Sequence, residues 1–197
     1  HHVHDVKVKN KDFNVDVQIT KRDGKLILLL SDRAVKENNI EIKTAKELGD
    51  KYLKSLGLEQ FEPTYYLTTD NMVTINYAAV QNNVILYPDL IKVKIAEDTG
   101  EICSVECRGY IFNHVKRNNV VPRLTEEEAR NKVNSNIDIK YSGLAIIPLE
   151  SNEEVLTYEF KGKINDKKEV CDDSQPSFYV RDFLSEIWKS NCYHLFH

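Results

Sequence analysis

The chain has 197 residues, 41% hydrophobic and 29% charged, an ordinary globular composition that excludes disorder over its whole length. Its net charge of -4 and pI near 5.9, with Lys and Arg interspersed among Asp and Glu, argue against a nucleic-acid binder. No apolar run reaches the roughly 20 residues that span a bilayer.

His1, His2 and His4 crowd the start, where they fit a purification-tag remnant better than a metal site. Residues 13–19 alternate as a strand: Phe13, Val15, Val17 and Ile19 against Asn14, Asp16 and Gln18. Arg22-Asp23-Gly24-Lys25 is a turn, and residues 26–30 return as a second strand. Next comes Thr44-Ala45-Lys46-Glu47, which has the form of a capping box, with Leu48, Tyr52, Leu53 and Leu56 behind it at helical spacing. Gly57 suits the left-handed position that ends many helices.

The period then changes to two. Residues 64–67 and 73–77 read as strands, and Asn82-Asn83 as a turn, because asparagine tolerates positive φ. Ile91, Val93 and Ile95 alternate with Lys92 and Lys94, the mark of a strand with one dry face and one wet one. Asp98-Thr99-Gly100-Glu101 turns the chain into residues 102–107. Helix, then about four strands on short turns, predicts a helix packed on an antiparallel sheet, an α+β class.

The same order recurs. Thr125-Glu126-Glu127-Glu128 is a second capping box, 81 positions after Thr44. Ala129, Val133 and Ile137 stand 81 positions after Leu48, Tyr52 and Leu56, and Tyr158 stands 81 after Tyr77. Residues 144–147 and 155–160 read as its strands. Asp23-Gly24 lies 76 positions before Thr99-Gly100, so the N-terminal strands read as the back half of a further copy without its helix. The expected organisation is a truncated module at 1–39, a complete one at 40–118, a third at 119–168 and a divergent tail at 169–197. In that tail residues 183–188 fit a short amphipathic helix, and its origin stays open: native, added, or translated out of frame.

Catalytic constellations do not emerge. There is no G-x-S-x-G, no glycine-rich phosphate cradle and no catalytic cysteine signature, and no cofactor or metal is expected. Cys103, Cys107, Cys171 and Cys192 show no C-x-x-C spacing; Cys103 and Cys107 read as small buried residues on one face of a strand. His114, beside Lys116 and Arg117, reads as a solvated loop residue, and Asp50, Asp70, Asp89, Asp98 and Glu101 as solvated carboxylates.

Several stretches resemble the PepSY domain family, and more narrowly its members among spore germination proteins. They are Pro63-Thr64-Tyr65-Tyr66-Leu67, Val73-Thr74-Ile75-Asn76-Tyr77, and Tyr87-Pro88-Asp89-Leu90-Ile91-Lys92-Val93-Lys94 followed by Gly100-Glu101-Ile102. Thr125-Glu126-Glu127-Glu128-Ala129 and residues 155–163 extend the likeness, which covers about residues 13–168. It implies a non-enzymatic, extracytoplasmic protein of the spore envelope. The implied partner is a SleB-like cortex-lytic hydrolase, with membrane attachment through a segment absent from this chain. A general PepSY-type protease inhibitor with another client is the alternative. The last strands typical of the family are not recognisable after Lys168.

Six residues are candidate contacts for a partner: Tyr65, Tyr66, Tyr87, Pro88, Asp89 and Tyr110. The tyrosines offer amphipathic area, although packing the sheet with their hydroxyls at its rim serves them equally well. Pro88 removes a ladder donor, which points to an edge or a bulge.

Overall fold

A computed structural model describes residues 2–118, 121–149, 151, 153–164 and 179–184. The fold is α+β, and the chain divides into two compact units, residues 1–81 with 86–116 and residues 82–85 with 117 onward.

The first unit opens with three antiparallel strands: β1 (Val3–Lys9), β2 (Asn14–Thr20) and β3 (Leu26–Ser31). β2 and β3 are the expected pair. β1 is an addition, and it places His4 opposite Ile19 in a ladder. Its apolar residues are only Val3, Val6 and Val8, too few to stand out beside the histidines.

Helix α1 (Ile42–Ser55) follows. It starts two residues before the expected cap. Glu41 is the N-cap and makes no side-chain capping bond, so Thr44 lies inside the first turn and its capping box does not form. Frame selection here belongs to packing: Ala45, Gly49 and Leu53 face the sheet, and the helix starts where that face is satisfied. Gly57 takes φ 74° just beyond the helix, as its position predicts.

The strands after α1 are β4 (Phe61–Thr69), β5 (Met72–Gln81), β6 (Val84–Ala96) and β7 (Ile102–Glu106). β4 pairs antiparallel with β5, β6 with β7, and β3 with β7. Left-handed Asp70 and Asn71 make the β4–β5 turn, and Asn82 and Asn83 the next one. Val73, Ile75 and Tyr77 of β5, Ile91, Val93 and Ile95 of β6, and Val105 and Cys107 form one buried cluster with Ala45 and Leu53. Each fully buried Val or Ile contributes about 1.5–3 kcal/mol relative to exposure. Behind the sheet edge, Arg33 reaches the β6–β7 turn and forks its guanidinium onto both oxygens of Asp98 at 3.1 and 2.8 Å. That hydrogen-bonded charge holds the Asp98 carboxyl below its ordinary range.

Both thiols in this unit are free and buried. Burial pushes the Cys107 thiol up to about 12, and the adjacent Glu106 carboxylate adds to the shift. A raised folded value means the unfolded chain loses its proton first. The associated stability is therefore present below about pH 9 and drains away as pH rises towards 12. Urea unfolding at pH 7.5 and 10 should show a loss larger by about 1 kcal/mol than in Cys107→Ala, where the other groups raised by burial, Cys103 among them, still contribute; an identical pH response in the two proteins would contradict it.

The second unit carries helix α3 (Glu126–Arg130) and the long hairpin β8 (Ile137–Pro148) with β9 (Glu154–Ile164). The Thr125 capping box forms in full: Thr125 Oγ1 accepts from the Glu128 N–H, and Glu128 Oε2 accepts from the Thr125 N–H at 2.8 Å. The expected stripe behind it does not. The helix stops after one turn, Val133 lies beyond it and Ile137 opens β8. Within residues 131–136 stand Asn131, Asn134, Ser135 and Asn136, poor helix formers, and the Asn134 side chain accepts from the Asn136 N–H instead. Residues 179–184 are a strand, β10 (Tyr179–Leu184), antiparallel to β9, so residues 183 and 184 of the expected helix over 183–188 are extended, and residues 185–188 lie outside the described residues. The rest of the tail lies outside the described residues.

Candidate functional site

The turn after β7 is the chemically richest part of the first unit. β7 runs straight into α2 (Arg108–Asn113), which is held at its start by Cys107 N–H donating to the Ile27 carbonyl at 2.8 Å. Gly109 lets the helix lie against β6: a Cβ there would stand 3.3 Å from the Leu90 carbonyl oxygen. This close approach lays α2 over the Pro88–Leu90 backbone and brings its C-terminal end to Asp89.

His114 caps that end, and its Nδ1 lies 2.6 Å from Asp89 Oδ2. Asp89 is 0% exposed, while the imidazole keeps about a third of its surface in solvent. One helical turn earlier, the Tyr110 ring sits 4.7 Å from the imidazole, centroid to centroid. Tyr110 also meets Phe61, the first residue of β4, edge-on at 4.9 Å, and its hydroxyl accepts from Gln60 Nε2 at 3.2 Å. A chain of contacts therefore links a buried carboxyl to a half-exposed aromatic ledge.

Two candidate contacts, Asp89 and Tyr110, are thus brought together by His114. That histidine is a buried group's partner rather than a solvated loop residue, and Asp89 is buried rather than a surface carboxylate. Nothing local announces the pair, because 25 residues separate them. Tyr87 is buried and Pro88 half-buried, both within β6, an inner strand with β5 and β7 as neighbours. Pro88 is therefore not on a sheet edge. Tyr65 and Tyr66 lie four and five residues beyond Phe61, roughly 13 Å or more further along β4. Tyr65 is half-buried, and Tyr66 is 42% exposed beside Leu67. The six candidates accordingly fall into a cluster around α2 and a separate aromatic patch on β4. Among the described residues, no group of three His, Cys, Asp or Glu is placed to hold a metal ion.

A family model described as YpeB sporulation, PepSY1 and PepSY2 domains matches residues 2–120. The chain belongs to the YpeB sporulation family. It is 36% identical over 146 residues to sporulation protein YpeB of Oceanobacillus iheyensis, covering 74% of this chain and 33% of that protein. To the Bacillus subtilis protein of the same name it is 32% identical over 166 residues, covering 82% and 37%. It spans about a third of the length of these relatives. The Bacillus megaterium YpeB C-terminal domain superposes with a TM-score of 0.80 at 27% identity, covering 93% of this chain and 84% of that one. The likeness in sequence and fold agrees with a role in sporulation. Among the described residues no helix is long and apolar enough to cross a membrane.

Proposed function

We propose that this YpeB-family chain acts by binding, as part of a non-enzymatic, extracytoplasmic spore protein that stabilises or restrains a SleB-like cortex-lytic hydrolase. Membership of the YpeB family over residues 2–120 is the observation that carries this reading. The contact surface is proposed to be the Tyr110 ledge, held by His114 and Asp89, together with the exposed end of β4 around Tyr66. Aromatic rims of this kind supply area at little entropic cost when their rings are already fixed by packing. The tandem arrangement is part of the proposal: a truncated module at 1–39, a complete one at 40–118, a third at 119–168 and a divergent tail at 169–197.

Mixing the purified chain with a recombinant cortex-lytic hydrolase tests it. Co-elution, a severalfold longer survival of the hydrolase under limited proteolysis, or a change in its turnover of cortex fragments is expected, since a partner that binds the native state stabilises it by mass action. No association together with unchanged survival and turnover would overturn the assignment. Cleavage of cortex fragments by this chain alone would overturn its non-enzymatic character. Preferential capture of another hydrolase from spore extract would favour the PepSY-type inhibitor reading.

A further inference from the structure

β1 ends the ladder β1–β2–β3–β7, and its outer edge is open among the described residues. The direction of its backbone groups follows from its pairing. The His2 carbonyl accepts from Lys21 N–H at 3.0 Å, and Asn10 N–H donates to the Phe13 carbonyl at 2.9 Å, in the same register as the β1–β2 ladder. Even-numbered residues therefore bond to β2. Val3, Asp5, Lys7 and Lys9 aim their N–H and C=O groups at the open edge.

The side chains sort equally cleanly. Val6 and Val8 lie opposite Val17 and Val15, on the face that continues through Leu29 to the core residue Val105. They remain 45% and 52% exposed. Asp5, Lys7 and Lys9 occupy the other face. Natural edge strands are commonly guarded by charged side chains, lysine above all, by proline or by bulges. Here the opposite charges of Asp5 and Lys7 stand symmetrically about Val6; within one copy Asp5 accepts from Gln18 Nε2 at 2.7 Å and Lys7 Nζ lies 3.5 Å from Asp16 Oδ1.

We propose that the β1 edge is an isologous strand-pairing surface whose partner is the β1 edge of a second copy of this chain. A two-fold axis at Val6 sets Asp5 opposite the partner copy's Lys7, and Lys7 opposite its Asp5. Val8 meets the partner copy's His4, and Val6 meets its equivalent. The outward-pointing odd residues then fall in hydrogen-bonded pairs, and the Val6 pair takes the non-hydrogen-bonded site, where side chains approach most closely. The two apolar faces merge across the axis and cover part of the exposed valine stripe. The opposed signs make the antiparallel register the favoured one, because a one-residue slip would set valines against charges.

One strand pair buries less than the roughly 1,000 Å² of a stable interface, so association should be weak, with dissociation at about tens to hundreds of micromolar. Sedimentation velocity on the 197-residue chain from about 10 µM to 1 mM reads it directly. Wild type should shift from monomer to dimer across that range. Asp5→Lys sets lysines against each other and should weaken the dimer at least about tenfold, while Asp5→Lys/Lys7→Asp should restore it to within about threefold. Lys7→Pro removes an outward N–H without touching the β2 ladder, and should weaken the dimer while leaving the far-UV spectrum unchanged. A chain that stays monomeric throughout, or a dimer insensitive to all three variants, would overturn the proposal.

Discussion

Gly49→Ala is expected to destabilise the first unit by about 2 kcal/mol, reversing the gain of about 1 kcal/mol that this exchange usually brings inside a helix. Gly49 sits in the middle of α1 on its buried face, where local propensity favours alanine. Across from it stands Tyr77, 1% exposed in the core. A Cβ on residue 49 would overlap the Tyr77 hydroxyl oxygen and approach Cζ to 3.3 Å. The ring is rigid and enclosed, so the helix must lift or the tyrosine must leave its site, and either costs packing. The hydroxyl is itself confined: it reaches the Lys46 carbonyl at 3.4 Å, and burial, with Asp50 beside it, raises the phenol well above its ordinary range.

The same geometry predicts its own rescue. Tyr77→Phe removes the atom in conflict, and in that background Gly49→Ala should be neutral or slightly stabilising. Urea unfolding of the two single variants and the double would then give a coupling of about 2 kcal/mol. Additive effects would show that the helix and Tyr77 do not meet as described.

A second large effect is expected at the base of α2. Asp89→Ala should cost about 3 kcal/mol, because it removes a fully buried hydrogen-bonded carboxyl and leaves its partners to find water. His114→Ala should cost less, about 1 kcal/mol, since the imidazole is partly solvated and the change is a loss of one contact and some ring packing. Chemical denaturation gives both values. The order matters more than the sizes: a His114 variant less stable than the Asp89 variant would mean that the burial cost of the carboxyl dominates. His114→Ala removes one ring contact of Tyr110 and Asp89→Ala loosens the imidazole that makes it, so both should weaken the association proposed with a cortex-lytic hydrolase, whereas Tyr110→Phe, which keeps the ring contacts with Phe61 and His114, should spare it.

The first of these effects is invisible to helix propensity and the second to motif reading. Gly49 stands in a helix that the apolar stripe predicts, yet its intolerance of a methyl depends on a tyrosine 28 positions later. Asp89 lies in the stretch most like the PepSY family, and still its partner looked like a surface histidine. Sequence spacing marks which residues share an element, and says little about which elements meet.

What the sequence determined was local. Period-two alternation placed β2 and the strands from β4 to β7, and the short apolar run after Asp23-Gly24 placed β3; Asp-Gly, Asn-Asn and Thr-Gly pairs placed their turns; and the Leu48-Tyr52-Leu53-Leu56 stripe placed α1. These signals are strong because backbone geometry acts over two to four residues. Tertiary structure decided the rest. It chose the start of α1 by burial of Ala45 and Gly49 over a capping box at Thr44, whereas the local run of Asn131, Asn134, Ser135 and Asn136 ended α3 after one turn despite a full capping box at Thr125. It also recruited β1 to a sheet edge and joined His114 to Asp89. A cap contributes about 1 kcal/mol, and a buried helix face contributes several times that. Where the two disagree, the contacts made far along the chain prevail.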